Sequence, residues 1–234
     1  MQEWYFMKTI GIIGGMSWES TIEYYRYINE EVSRRVGGLH SAKIWLESYD
    51  FDLIEKLQSQ ENWDELGRIM ITSAQKLEQA GADYIAIATN TMHLLAPQVQ
   101  AHISVPLIHI AQATANTAKA QGISTVALFG TRYTMTKPFY KDVLQNDYGI
   151  RVILPQETDQ TIINDIIYNE LCRGIIKDTS RTQLEGIIQE CQARGAQAVV
   201  LGCTELPNII KKASIPVIDT TKAHSLEIVN RILE

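Results

Sequence analysis

Thr9-Ile-Gly-Ile-Ile-Gly-Gly15 recurs 116 residues later as Thr125-Val-Ala-Leu-Phe-Gly-Thr131. Each is a short apolar run ending in glycine, the form of a buried strand that runs into a tight turn. Gly81-Ala-Asp-Tyr-Ile-Ala-Ile-Ala-Thr89 returns as Gly195-Ala-Gln-Ala-Val-Val-Leu-Gly-Cys203, an offset of 114. Val105-Pro-Leu-Ile-His-Ile110 returns as Ile215-Pro-Val-Ile-Asp-Thr220, an offset of 110. One such match is what short strand-turn words produce by chance. Three in the same order, with offsets drifting by a few residues, imply a duplicated α/β lobe of about 100 residues. The boundaries that follow are a first lobe over 1–108, with 216–234 returning to it, and a second lobe over 109–215.

The remaining chain fits that alternation. Lys43–Ser48, Val152–Leu154 and Val217–Ile218 complete a set of eight strand-sized runs with Thr9–Ile13, Tyr84–Ala88, Leu107–Ile110, Val126–Phe129 and Ala198–Leu201. Helical periodicity fills the gaps. Ile22, Tyr25, Ile28 and Val32 recur at steps of three and four behind a Ser20-x-x-Glu23 capping box, and Trp63, Leu66, Met70 and Leu77 follow suit. Ile162, Ile163, Ile166 and Ile167, then Leu184, Ile187, Ile188 and Cys191, repeat the pattern in the second half. The fold class is α/β: two pseudo-symmetric lobes, each a mostly parallel sheet flanked by helices.

With 234 residues, 45% hydrophobic, the chain carries enough apolar material for a sizeable core. Its net charge of −6 lacks the basic excess of a nucleic-acid binder. The apolar runs are strand-sized and no membrane span is expected. Met1–Phe6 has no signal-peptide pattern and reads as a short extension before the first strand. Three cysteines, Cys172, Cys191 and Cys203, form an odd set without a C-x-x-C, which points to a reducing, cytoplasmic setting.

Ligands of open α/β sheets bind beyond the carboxyl ends of the strands. Two lobes related by a pseudo-twofold would face those ends across a cleft, with Thr89 and Cys203 at equivalent positions. Cys203, in Gly202-Cys-Thr-Glu205, stands just past a buried strand and before an expected helical turn. Helix N-terminal N–H groups there would lower the thiol pKa; the alternative is a buried cysteine acting as a small hydrophobe. Thr89-Asn90-Thr91 supplies hydrogen-bond donors suited to a carboxylate, or else a plain turn or N-cap. Gly14-Gly15-Met16 is a loop that turns tightly or approaches a ligand closely, and Gly130-Thr131 is its counterpart. The hydroxyls of Thr131 and Thr134 suit a carboxylate or a helix cap. No G-x-G-x-x-G, P-loop or G-x-S-x-G occurs, and the five histidines have no metal-ligand spacing.

Taken together, Gly14-Gly15-Met16, Thr89-Asn90-Thr91, Gly130-Thr131 and Gly202-Cys-Thr-Glu205 resemble the aspartate/glutamate racemase family over essentially all of the chain from Met7. Met16–Thr21, Gly37–Ser41 and Thr131–Met135 look like its enterobacterial-type, aspartate/glutamate-specific branch. The resemblance implies racemisation of acidic amino acids without pyridoxal phosphate or metal, by two groups on opposite faces of the α-carbon, in a cytoplasmic homodimer. It implies Thr89 and Cys203 as the catalytic pair. Asn90, Thr91, Thr131 and Thr204 would hold the substrate, with Glu205 beside Cys203, and Met16 and Gln58 would read the distal carboxylate. Two positions depart from the wider family. Thr89 stands where the family's first cysteine is usual, as it does in the close branch. Cys172 stands where many aspartate racemases carry a lysine. The cell-wall glutamate racemases look different, with Asp-Ser in place of Gly14-Gly15 and a His in place of Glu205.

Two further readings follow from a single thiol. One is a decarboxylase-like relative in which Cys203 only protonates. The other is a decayed binding protein for an acidic ligand. Within the racemase reading, a hydroxyl opposite a thiol implies kinetic asymmetry, and the resemblance suggests that L to D is favoured.

Overall fold

A computed structural model describes residues 7–234; the extension expected over 1–6 lies outside the described residues. The chain divides into two compact units. The first runs to His109 and takes back His224–Glu234; the second is Ile110–Ala223.

In the first unit the order is β1 (Thr9–Gly14), α1 (Trp18–Val36), β2 (Lys43–Ser48), α2 (Phe51–Ser59), α3 (Trp63–Gln79), β3 (Tyr84–Ile87), a 3₁₀ turn (Thr91–Leu95), α4 (Ala96–Gln100) and β4 (Leu107–Ile108). The second unit contains α5 (Ile110–Ala120), β5 (Thr125–Gly130), α6 (Arg132–Thr136), α7 (Pro138–Asp142), β6 (Arg151–Ile153), α8 (Glu157–Asn169), a 3₁₀ turn (Leu171–Arg173), α9 (Asp178–Ala193), β7 (Ala198–Gly202), α10 (Leu206–Ile209) and β8 (Val217–Asp219). The last helix, α11 (Thr220–Ile232), begins in the second unit and continues into the first.

Both sheets are four-stranded and parallel. Their strand orders, β2-β1-β3-β4 and β6-β5-β7-β8, are the same topology twice. All eight expected strands form. The one over Leu107–Ile110 stops at Ile108 because α5 starts at Ile110. Residues 216–223, expected with the first lobe, belong to the second: Val217–Asp219 is β8, paired with β7 through Val199↔Val217 and Val200↔Ile218.

Strand side chains alternate between two cores per unit, as a pleat of period two requires. Ile10 and Ile12 of β1, with Ala86 and Ala88, pack beneath α1 and α11; Ile13, Ile85 and Ile87 pack beneath α2, α3 and α4. The second unit repeats this. Val126, Leu128, Ala198 and Val200 line one core, and Ala127, Phe129, Val199 and Leu201 the other. These side chains are almost wholly out of water, each contributing about 1.5–3 kcal/mol where Val, Leu, Ile or Phe is involved.

Helix α1 starts earlier than its sequence pattern suggests. Its cap is Ser17, whose Oγ accepts from the Ser20 amide at 3.3 Å, not Ser20 with Glu23. Its buried face is Tyr24, Ile28 and Val32, while Ile22 and Tyr25, which share the helical spacing of Ile28 and Val32, are exposed. Among the described residues no helix is long and apolar enough to cross a membrane.

Candidate active site

The carboxyl end of the second sheet begins with two register-paired glycines, Gly130 and Gly202. A Cβ on Gly130 would lie 2.8 Å from the Gly202 carbonyl oxygen, and one on Gly202 would lie 2.8 Å from that of Phe129. The Thr134 side chain comes within 3.0 Å of both positions. Glycine at the strand ends therefore lets α6 turn closely over them. Thr131 caps α6, its hydroxyl accepting from the Thr134 amide at 3.4 Å, and the two hydroxyls stand 3.3 Å apart.

Cys203 follows directly, buried. Its Sγ donates to Glu205 Oε2 at 3.0 Å, and the Thr204 hydroxyl donates to the same oxygen at 2.7 Å. Burial pushes the thiol well above its ordinary range, and the Glu205 charge and neighbouring Cys172 push it further. This reverses the expectation of a thiol activated by a helix N-terminus. Helix α10 is only four residues long, and a carboxylate two residues along the chain outweighs it. The resting group is a neutral thiol whose proton already points at a carboxylate.

The other two cysteines lie apart from that hydrogen bond. Cys172 sits in the 3₁₀ turn after α8, half-buried against the core that contains Cys203. Cys191, buried in α9, is pushed up to about 11 by burial.

The first unit builds its strand end differently. Gly15 has φ +82, and a Cβ there would lie 2.3 Å from both the amide nitrogen and the carbonyl oxygen of Tyr49. Only glycine fits that approach. The Tyr49 amide donates to the Gly14 carbonyl at 3.0 Å, and the Gly15 amide donates to Thr21 Oγ1 at 2.8 Å. Met16 and Met92 are buried in the same α2–α3 core, and Gln58 of α2 reaches Met92 Sδ with its Nε2 at 3.1 Å. Gln58, Met16 and the Thr91–Leu95 turn are thus tied into one framework. Asn90 and Thr91 are buried; Thr89 is half-buried.

Thr89 has a neighbour outside the motifs. The His93 Nδ1–H donates to the Thr89 carbonyl at 2.8 Å. His93 lies edge-on to His109 (centroids 4.7 Å) and to His224 (5.6 Å). His224 donates from Nε2 to the Ile108 carbonyl at 2.8 Å and accepts from the Tyr24 hydroxyl through Nδ1 at 2.9 Å. Burial holds all three imidazoles neutral: His93 far below its ordinary pKa, His109 lowered to about 4 and His224 to about 3. The i, i+4 spacing from Thr89 to His93 was the available signal for the first contact. Nothing local joins His93 to His224. Among the described residues no group of three or more His, Cys, Asp or Glu is arranged to hold a metal ion.

Thr89 and Cys203 are equivalent by pairing register as well as by sequence. Ile13 pairs with Ile87 in the first sheet and Phe129 with Leu201 in the second, and the repeat offsets carry one pair onto the other. Two residues beyond Ile87 is Thr89; two beyond Leu201 is Cys203.

Comparison with known proteins agrees with this duplicated frame. The chain is similar to a Yersinia pestis protein assigned as an Asp/Glu racemase, with TM-score 0.91 and 47% identity over 97% of this chain and 100% of that one. An aspartate racemase homologue from Pyrococcus horikoshii OT3 matches at TM-score 0.84 and 35% identity, with the same coverage. The broad specificity amino-acid racemase RacX of Bacillus subtilis (strain 168) is 28% identical over 163 residues, 68% of each chain. The model of the Asp/Glu/hydantoin racemase family matches residues 13–227, from the end of β1 to the middle of α11 and so through both halves of the repeat, and the chain belongs to that family.

Proposed function

We propose that the protein is a cofactor-independent racemase of aspartate and/or glutamate, cytoplasmic and homodimeric. The observation that carries this reading is the Cys203 thiol donating to the Glu205 carboxylate, at the position that matches Thr89 in the other half. Asn90, Thr91 and Thr131 hold the α-carboxylate, with Thr204 joining them when its hydroxyl leaves Glu205; Met16, Gln58 and nearby amides read the side-chain carboxylate.

In the Cys203 direction the thiol proton moves to Glu205, and the thiolate takes the α-proton. Donors on the α-carboxylate tighten as negative charge develops there. Thr89 then delivers a proton to the opposite face, and the reverse direction needs Thr89 as base. A threonine hydroxyl is a much weaker acid than a thiol, so that direction is slow unless the hydroxyl is strongly activated.

L and D forms are equally stable in achiral solvent, so kcat/KM must be equal for the two directions. Asymmetry therefore resides in kcat and KM separately: the slow direction has the lower kcat and a KM lowered in proportion. L to D is taken as the fast direction.

The test is incubation with each enantiomer of aspartate and glutamate in D₂O, following α-deuteration and optical rotation. Inversion with exchange, and a higher saturated rate from L, are expected. Cys203→Ser should lose both signals by at least ~100-fold with the fold intact, and Thr89→Cys should raise kcat from D more than from L. Cys172→Ser should leave turnover within about twofold. Equal kcat from L and D in the wild type would remove Thr89 as the weak partner.

The protonated state of Cys203 also favours a second reading, a decarboxylase-like enzyme that only protonates an enolate. Such an enzyme would leave both amino acids undeuterated and consume a substituted malonate.

A further inference from the structure

His93 holds two successive carbonyls at the carboxyl end of β3. Its amide donates to the Asn90 carbonyl at 3.0 Å, and its ring Nδ1–H donates to the Thr89 carbonyl at 2.8 Å. The chain is leaving the sheet at this point. The Ala88 amide still reaches across to the Ile13 carbonyl of β1 at 2.8 Å, but the Thr89 amide turns back on the Ile87 carbonyl at 2.9 Å. The peptide planes that follow Thr89 and Asn90 are thus both fixed by one residue.

The other half of the repeat fixes the matching carbonyl with backbone alone. The Cys203 carbonyl accepts from the Leu206 amide at 3.2 Å. The offset of 114 that carries Thr89 onto Cys203 carries His93 onto Pro207, at the start of α10 and without an N–H. A side-chain donor on this carbonyl therefore belongs to the half that carries the hydroxyl. The imidazole is wholly buried, with its edges against His109 and His224. His224 is itself tied to the Tyr24 hydroxyl and the Ile108 carbonyl. The ring is held in one orientation from behind, and burial keeps it neutral. A buried imidazole costs free energy that a leucine at the same place would not, and its bond to Thr89 offsets that cost.

We propose that His93 is the positioning residue of the Thr89 half-site: through the Thr89 carbonyl, its ring aims the Thr89 hydroxyl at the α-carbon. This rests on the racemase reading and adds to it a residue that touches neither the substrate nor the reacting atoms. A threonine side chain is stiff about χ1, so the direction of its oxygen follows the backbone that carries it. Without the ring, the peptide between Thr89 and Asn90 loses its anchor and the hydroxyl drifts from the line of proton transfer. A drift of about 1 Å is enough to slow such a step by up to ~100-fold. Proton removal by Cys203 does not pass through this carbonyl.

The test counts two products formed from L-aspartate and L-glutamate in D₂O. Deuteration with retention reports removal and return of the proton at Cys203 alone; deuteration with inversion also needs Thr89. His93→Leu should cut inversion ~10-fold or more and retained exchange by under about twofold, shifting their ratio ~10-fold towards retention. His93→Asn, whose Nδ2–H stands as many bonds from Cα as the ring Nδ1–H, should keep the ratio within about threefold of the wild type. His93→Gln, with its amide one bond farther out, should behave like leucine and replaces it if that variant does not fold. In a Thr89→Ala background His93→Leu should change retained exchange by no more than about twofold, because the group it positions is gone. Ring ¹⁵N spectra of the wild type near neutral pH should show His93 protonated on Nδ1. A wild type that neither exchanges nor inverts overturns the racemase reading and this one with it. With an active wild type, an unchanged ratio in His93→Leu and His93→Gln, equal losses of exchange and inversion, or a His93 ring protonated on Nε2 alone would each overturn this inference and leave the racemase reading standing.

Discussion

At Cys203 the structure sets two requirements against each other. A base must be deprotonated to act, yet burial and Glu205 both keep the thiol protonated. In the proposed reaction Glu205 resolves this by accepting the proton itself. Glu205→Gln should therefore move two observables in opposite senses. The thiol pKa should fall, because a negative neighbour is gone, and kcat should fall by roughly 10²–10³, because the proton acceptor is gone. Thiolate absorbance during a pH titration, with Cys203→Ser as the blank, reads the first; saturated initial rates read the second. Unchanged turnover in Glu205→Gln would mean that the thiol proton leaves by another route. The place of Cys203 just past a buried strand was legible in the sequence because a polar cluster closes that strand. Its protonation state was not, because that depends on burial and on the rotamer that brings Glu205 Oε2 to Sγ, neither of which spacing reports.

For the elements, the eight strands and their repeat were legible because buried parallel strands are written as apolar runs of β-branched residues. Helix α1 was legible as a helix but not in its boundary or its facing. Spacing groups Ile22 and Tyr25 with Ile28 and Val32, yet both are exposed, and the buried aromatic is Tyr24 with its hydroxyl on His224. The cap offers a direct check. Ser17→Ala should cost about 1 kcal/mol in urea unfolding, whereas Glu23→Ala, whose partner Arg26 is exposed, should cost under about 0.5 kcal/mol. The reverse ranking would restore the Ser20–Glu23 box. Where β5 and β7 end, Gly202→Ala forces a methyl against the Phe129 carbonyl at 2.8 Å, a backbone atom that cannot rotate away. A loss of about 2 kcal/mol or more is expected, as for other overpacked sites, read as a lower thermal midpoint. A loss of under about 0.5 kcal/mol would show that the two strands part easily at that end.

Across the whole molecule, all five histidines lie in the first unit, and three of them, His93 and His224 buried and His109 half-buried, are held neutral. An unfolded chain binds a proton at each histidine near pH 6.5, while the folded chain refuses it down to about 4 at His109 and about 3 at His224. Full stability is therefore present above pH 6.5 and is lost as pH falls towards those values. The slope is about 1.4 kcal/mol per pH unit for each proton taken up only by the unfolded chain. Urea midpoints measured between pH 7.5 and 4.5 should fall steeply below pH 6.5. Hydrogen exchange, corrected for intrinsic rate, should accelerate in β1 and β3 before β5 and β7. A flat profile over that range would mean that the imidazoles are solvated in the folded protein.

The common register of β1–β3 and β5–β7 makes the chain its own reference. Thr89, Asn90 and Thr91 answer, place for place, to Cys203, Thr204 and Glu205. One copy of the repeat carries a thiol with a carboxylate two residues on, and the other carries two hydroxyls at the same stations. The two halves share one strand order and differ in the groups at the strand ends. Each half can therefore be rewritten with the end groups of its twin, without an outside template.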